Sequence, residues 1–312
     1  MKKLIIGLAI MLVVSLAGVI SCGPGAVSFP DENLEAAIRG AIDKPEGAIY
    51  PDDLEALTSL DVRESNIADL GGLDKCSNLT KLMLISNQIS DLSPLASLTN
   101  LMWLMVDDNQ VIDISPLASL TNLELLTLGG NQISDLSPLA SLDNLWWLMA
   151  DDNKISNILV LANLTKLTSL FLTANEISDI SALAGLTNLN QIDLMFNQVS
   201  DLSPLTSLTN LTMLNLDFNR VADISPLASL TNLAVLDLMG SPDGNQIEDI
   251  SPLASLTKLN RLRLWNNRIS DISALVDLPN LDTLWILQGN PLNDEAVNVQ
   301  IPQLIDRGVD VH

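Results

Sequence analysis

Histidine is nearly missing from this chain of 312 residues: the single copy, His312, is the last residue. That scarcity excludes almost all histidine-based catalysis and histidine-rich metal sites. Aromatic residues make up only 3% of the sequence, so a core has to be built from Leu and Ile. Cysteine occurs twice, at Cys22 and Cys76, and if Cys22 is used as argued below, no disulfide can form within one chain. Bases are few: 15 Lys and Arg face 38 Asp and Glu, a formal net charge of −23. Nucleic-acid binding, which needs clustered Lys and Arg against phosphates, is therefore not expected. With 47% apolar and 17% charged residues, the chain is not of the disordered class. No Gly-rich phosphate loop, Gly-x-Ser-x-Gly elbow or Cys-x-x-Cys pair occurs. Neither an enzyme nor a bound cofactor is expected.

What is present begins with an export signal. Met1-Lys2-Lys3 precedes an uncharged stretch from Leu4 to Ile20, 17 residues that are marginal for a membrane span. The stretch ends in Val19-Ile20-Ser21-Cys22, which resembles the bacterial lipobox. The resemblance implies cleavage after residue 21 and a lipidated Cys22 as the mature N-terminus, held by more than one acyl chain. An ordinary cleaved signal, or an uncleaved anchor, with Cys22 incidental, is the alternative. Losing residues 1–21 removes two lysines and no acids, taking the charge from −23 to −25. Residues 22–28, with Gly23-Pro24-Gly25, read as a tether. The expected localisation is an exported lipoprotein anchored to the membrane at the bacterial cell surface.

The body is one repeat copied eleven times, over residues 57–290. Leu57 opens a degenerate first copy, and Leu79, Leu101 and so on to Leu233 open copies 22 residues apart. The insert Ser241-Pro242-Asp243-Gly244 delays the next start to Leu259, and Leu281 opens the last copy. This turn-forming insert is expected to project from the rim. Apolar residues sit at offsets 0, 3, 5, 10, 13, 16 and 19 from each start. Offsets 3 and 5 alternate as in a strand, and the later three-residue spacing suits 3₁₀ turns. One copy cannot bury its apolar columns alone, so stability must come from stacking. The expected fold class is an α/β solenoid, with a parallel sheet on the concave face, short 3₁₀ turns on the convex face, and a cap at each end. Asp31 is a good N-cap, and Leu34, Ala37, Ile38, Ala41 and Ile42 form one face of a helix within an N-terminal cap over 29–56. Residues 291–312 read as the closing cap.

Two polar columns accompany the apolar ones. Asn recurs from Asn87 to Asn267 at the corner after the strand, and Asp from Asp69 to Asp271 near the next turn, interrupted only by Asn157. Both are expected to satisfy backbone groups and not to bind a ligand. Cys76 occupies the Leu column at offset 19 and is expected to be an inert core thiol. The pattern Leu-x-x-Leu-x-Leu-x-x-Asn-x-Ile followed by Asp-Leu-Ser-Pro-Leu resembles bacterial leucine-rich repeat proteins of the internalin type. The resemblance implies a binding scaffold. The immunoglobulin-like module and wall-sorting motif found in that family do not follow the last copy here. The resemblance therefore implies neither a particular receptor nor a role in host invasion.

Residues at offsets 2, 4 and 6 should point onto the concave face. Every Trp, and every Met outside the signal, lies in this variable strand region and the set as a whole is expected to be exposed; the alternative is that flanking copies bury some of them, Trp146 at offset 1 first. The candidate hot spot places Trp103, Leu125 and Trp147 side by side, with Met105, Met149 and Phe171 in the next column. Two acidic pairs, Asp107-Asp108 and Asp151-Asp152, flank Gly129-Gly130 and suggest a negative notch around a side-chain-free gap. Such a notch suits a Lys or Arg of a partner, with a bound cation such as Ca²⁺ as the lesser alternative; the plainest reading is that these acids only solvate the rim. Three functions follow: a surface receptor or adhesin for a protein partner, a glycan binder, or a structural envelope component without a dedicated ligand.

Overall fold

The computed structural model describes residues 25–241 and 244–312; the export signal, Cys22 and the centre of the Ser241–Gly244 insert lie outside the described residues. Because successive copies are in phase, each contributes one short strand that pairs with its neighbour at the same offset. The strands are β1 (Ser59–Asp61), β2 (Lys81–Met83), β3 (Trp103–Met105), β4 (Leu125–Thr127), β5 (Trp147–Met149), β6 (Ser169–Phe171), β7 (Gln191–Asp193), β8 (Met213–Asn215), β9 (Val235–Asp237), β10 (Arg261–Arg263) and β11 (Thr283–Trp285). All pair in parallel and in sequence order. A further strand, β12 (Asp310–Val311), comes from the tail and closes the sheet against β11. The repeat pattern does not foretell it.

The apolar offsets are the core. In the copy opening at Leu101, the residues Leu101, Leu104, Val106, Val111, Ile114, Leu117 and Leu120 are at most 1% exposed. The three-residue spacing folds as expected into convex 3₁₀ turns such as Ser115–Ser119 and Ser225–Ser229. Pro opens most of them, where its missing N–H costs nothing. The Asp column caps these turns: Asp113 accepts from the Ser115 N–H at 2.8 Å, and Asp223 from the Ser225 N–H at 2.8 Å. Asn157 does the same for the Leu159 N–H at 2.9 Å, so the break in the column is chemical and not structural.

The Asn column stitches one copy to the next. Asn219 donates to the carbonyls of Leu194, Leu216 and Asp217, while its oxygen accepts from the Val199 N–H. A third ladder, not anticipated from the sequence, runs along the opposite corner. There Asn100, Asn122 and Asn144 donate to the carbonyls of Ser77, Thr99 and Thr121 in the preceding copy.

The N-terminal end is covered by α1 (Glu32–Ala41) and α2 (Pro51–Leu54). Asp31 caps α1 through the N–H groups of Asn33 and Leu34, and its second oxygen accepts from Ala68 of the first copy at 2.8 Å. Leu34 and Ile38 are buried, whereas Ala41 is exposed. After a short α-turn, α3 (Ser273–Val276), the tail forms a π-turn over Ala296–Gln300 and then α4 (Ile301–Asp306), which buries Ala296 and Leu304 against the last copies. Among the described residues no helix is long and apolar enough to cross a membrane.

Candidate functional site

The sheet register assembles the candidate residues as the repeat arithmetic requires. Trp103, Leu125 and Trp147 are consecutive Cα partners across β3, β4 and β5. Met105, Thr127, Met149 and Phe171 form the adjacent row, reaching β6. Except for buried Thr127, these side chains are half-buried, with part of each surface left open on the concave face. The rings of Trp147 and Phe171 lie 5.0 Å apart and tilted by 37°.

Two expectations, on Trp146 and on the notch, need correction, and one contact was not foreseen. Trp146 is not buried: offset 1 precedes the strand at the rim, and the indole is 37% exposed while standing edge-on to Trp147 at 5.8 Å. Trp103 is not a bare ring, because the Lys81 ammonium lies 3.9 Å from its centroid. The acidic notch is not a gap between free carboxylates. Asp107 folds over Gly129, accepting from its N–H at 2.9 Å and from the Thr127 hydroxyl. A Cβ on Gly130 would meet Asp108 Oδ1 at 2.4 Å. Asp151 likewise accepts from the Thr173 N–H at 2.7 Å. The offset-6 acids thus belong partly to the scaffold, and only Asp108 and Asp152 stand exposed. Burial raises Asp107 above the usual carboxylate range; it also pushes Asp151 up to about 6, with Asp193, Asp107 and Asp152 adding to the effect. Among the described residues no group of three or more acidic, His or Cys side chains is placed to hold a metal ion, so the cation alternative finds no ligand set.

A second polar cluster escaped the sequence reading. Asp193 accepts from Asn215 at 3.0 Å and from Thr173 at 2.8 Å. Asp217 accepts from the Met239 N–H at 2.6 Å, and Asp237 from Arg261 at 2.9 Å. The Arg263 guanidinium reaches over both acids at 3.7 Å, within ion-pair range but too far for a hydrogen bond. One oxygen of Asp217 and one of Asp237 are consequently buried without a hydrogen-bond partner. Burial, reinforced by Asp237, pushes Asp217 up to about 7. The same guanidinium lies 5.2 Å from the Trp285 ring. Sequence offsets put Asp237 and Arg263 in one column, the only signal that could have found this cluster.

Comparison with known proteins fixes the family. The model of Leucine Rich repeats (2 copies) matches residues 55–97, 99–141, 165–207, 209–255 and 257–297. An internalin (InlF) of Listeria monocytogenes is 33% identical, with a TM-score of 0.79 and coverage of 94% of this chain and 92% of that one. The chain belongs to the internalin-type leucine-rich repeat proteins. The functional domain of InlJ from Listeria monocytogenes is 28% identical with a TM-score of 0.77, over 87% of this chain and 58% of that one. A leucine-rich repeat protein of Leptospira interrogans shares the fold at 21% identity, with a TM-score of 0.70 over 83% of this chain and 73% of that one. Among curated proteins, no match is found. The InlJ domain includes a cysteine ladder; this internalin-type chain has one cysteine among its described residues, Cys76, free and buried, with its thiol pushed up to about 12 by burial.

A groove of about 550 Å³ follows the rim beside the third ladder, lined by Asn78, Asn100, Asn122 and Asn144 with Thr80, Met102 and Glu124.

Proposed function

We propose that the chain is a cell-surface protein, anchored through a lipid on Cys22, that binds a protein partner through its concave face. One observation carries the reading: Trp146, Trp147 and Phe171 form a continuous aromatic line on a rigid sheet, beside half-open Met105, Met149, Leu125 and Trp103. The inward columns are already filled by Leu and Ile, so packing does not require these side chains. Large open aromatic and Met side chains on a preorganised surface suit a partner's apolar anchor residues. Asp108 and Asp152 add negative charge at the edge and favour a partner with a basic side chain, while Asp107 and Asp151 hold the turn beneath them.

The test is capture of a protein partner by the purified chain. Trp103→Ser with Trp147→Ser should abolish capture without changing the melting temperature. Asp108→Asn with Asp152→Asn should weaken capture and reduce its dependence on salt. Partner binding unaltered in both double variants would place the site elsewhere. A glycan is the second reading, favoured by the amide-lined groove beside Met102; binding on a glycan array without any captured protein would select it. Anchoring is tested separately. Cys22→Ser should release the protein from the membrane fraction, and unchanged membrane retention and processing would contradict the lipid anchor.

A further inference from the structure

The position two residues after strand offset 5 has an unusual backbone. Glu64, Ser86, Asp108, Gly130, Asp152, Ala174, Phe196, Phe218 and Asn266 all occupy it with φ between 49° and 62°. Small or locally hydrogen-bonding residues tolerate this left-handed region; phenylalanine does not gain from it. Two adjacent copies nevertheless carry Phe, and the scaffold provides no packing reason: Phe196 is 49% exposed. The two rings stack at 4.6 Å with an interplanar angle of 8°. That separation matches the ~4.8 Å spacing of neighbouring strands, so the stack runs along the solenoid axis. One face of Phe196 is covered by Phe218. The other looks toward Ala174, whose methyl group leaves it open, and the next copy beyond Ala174 presents the exposed carboxylate of Asp152.

We propose that Asp152, Ala174 and Phe196 form a slot for an arginine side chain of the protein partner. The proposal rests on the concave-face reading and places the partner's basic residue at the rim of that face. Asp152 and Phe196 are two copies apart, roughly 10 Å, with only a methyl group between them. A planar guanidinium stacked on Phe196, within ~6 Å of its centroid, then lies within ion-pair reach of Asp152. The chain uses the same chemistry internally, where Arg263 lies over Trp285 at 5.2 Å and against Asp237 and Asp217 at 3.7 Å. At Phe196 and Asp152, by contrast, no base among the described residues stacks on the ring or pairs with the carboxylate. Lysine fits less well, because it lacks the plane that stacks and the fork that pairs at the same time.

The experiment is an NMR titration of the full chain, with labelled Ala methyl groups and Phe rings, using Nα-acetyl-arginine amide and Nα-acetyl-lysine amide as probes. The arginine probe should give saturable shifts at Ala174 and Phe196, and the lysine probe weaker ones. Phe196→Asn should weaken arginine binding by about 2–5-fold while melting at the parent temperature or above, because Asn suits the left-handed backbone. Asp152→Asn should weaken it as well. Absence of saturable shifts, equal response to both probes, or unchanged binding in both variants overturns the slot. Partner capture that is lost in the Trp103→Ser, Trp147→Ser variant but untouched by Phe196→Asn also overturns the slot, while leaving the concave-face reading standing.

Discussion

Asn219→Ala is expected to lower the melting temperature by roughly 5–10 °C. Asn219 is 1% exposed and serves four backbone groups: it donates to the carbonyls of Leu194, Leu216 and Asp217 and accepts from the Val199 N–H. Alanine leaves the Val199 N–H without a partner in a space closed to water and takes one of two donors from each carbonyl, since Leu194 keeps Asn197, Leu216 keeps Asn245 and Asp217 keeps the Phe196 N–H. The orphaned N–H costs about 1–3 kcal/mol and each bond lost from a carbonyl about 0.5–1.5 kcal/mol, a total on the order of 3–5 kcal/mol. Asn153, half-buried, makes the same pattern of bonds at 2.9–3.3 Å. Water can replace part of its pattern, so Asn153→Ala should cost about 1–3 kcal/mol. The gradient between the two is the informative result. Equal losses would mean that burial does not set the cost, and a Tm for Asn219→Ala within about 2 °C of the parent would mean that the ladder does not hold the copies together.

Acidification from pH 8 to pH 5 is expected to stabilise this acidic protein. Asp217 is pushed up to about 7 in the folded chain, against an ordinary value of 3.8. The folded chain therefore binds that proton more tightly than the unfolded chain. Stability is depressed above pH 7, rises as pH falls through about 7, and levels off near 3.8. Over that window the gain is on the order of 2–4 kcal/mol, with a smaller contribution from Asp151, pushed up to about 6. The convex Asp column acts in the opposite sense. Bonds from the Ser backbone and hydroxyl groups hold Asp135, Asp179, Asp223, Asp249 and Asp271 below the usual range, so their support is lost only on further acidification. A maximum near pH 5 follows. Asp217→Asn keeps the acceptor for the Met239 N–H and removes the buried charge. It should raise Tm at pH 8 by several degrees and flatten the rise toward pH 5. A Tm that falls steadily from pH 8 to pH 5, or a variant with the parental profile, would contradict this account.

The solenoid was legible because its determinants are periodic. Seven apolar columns, an Asn corner and an Asp cap recur at fixed offsets, and each column has one structural meaning that repetition makes plain. Trp103, Leu125 and Trp147 could be set side by side because parallel in-phase pairing leaves no other register. The misplaced details are those that periodicity does not encode. Lys81 covers Trp103, and Asp107 turns onto Gly129, through choices of rotamer that depend on a neighbour's reach. The Asp217–Arg263 contact skips a strand, and β12 comes from a tail outside the repeat. The left-handed corner, in contrast, left a trace: Ser, Asp, Gly, Ala and Asn dominate that position, which makes Phe196 and Phe218, with Glu64 of the degenerate first copy, the exceptions.

The proposed function requires the concave face to carry the partner. Site-specific photo-crosslinking in the bacterium itself tests it most directly, with a benzophenone side chain at Gln191 on the concave strand β7 or at Ala118 on a convex turn. A protein adduct is expected from Gln191 and none from Ala118. Added parent protein should compete that adduct away, whereas protein carrying Trp103→Ser with Trp147→Ser should not. An adduct from Ala118 alone, or equal competition by the Trp variant, would contradict it.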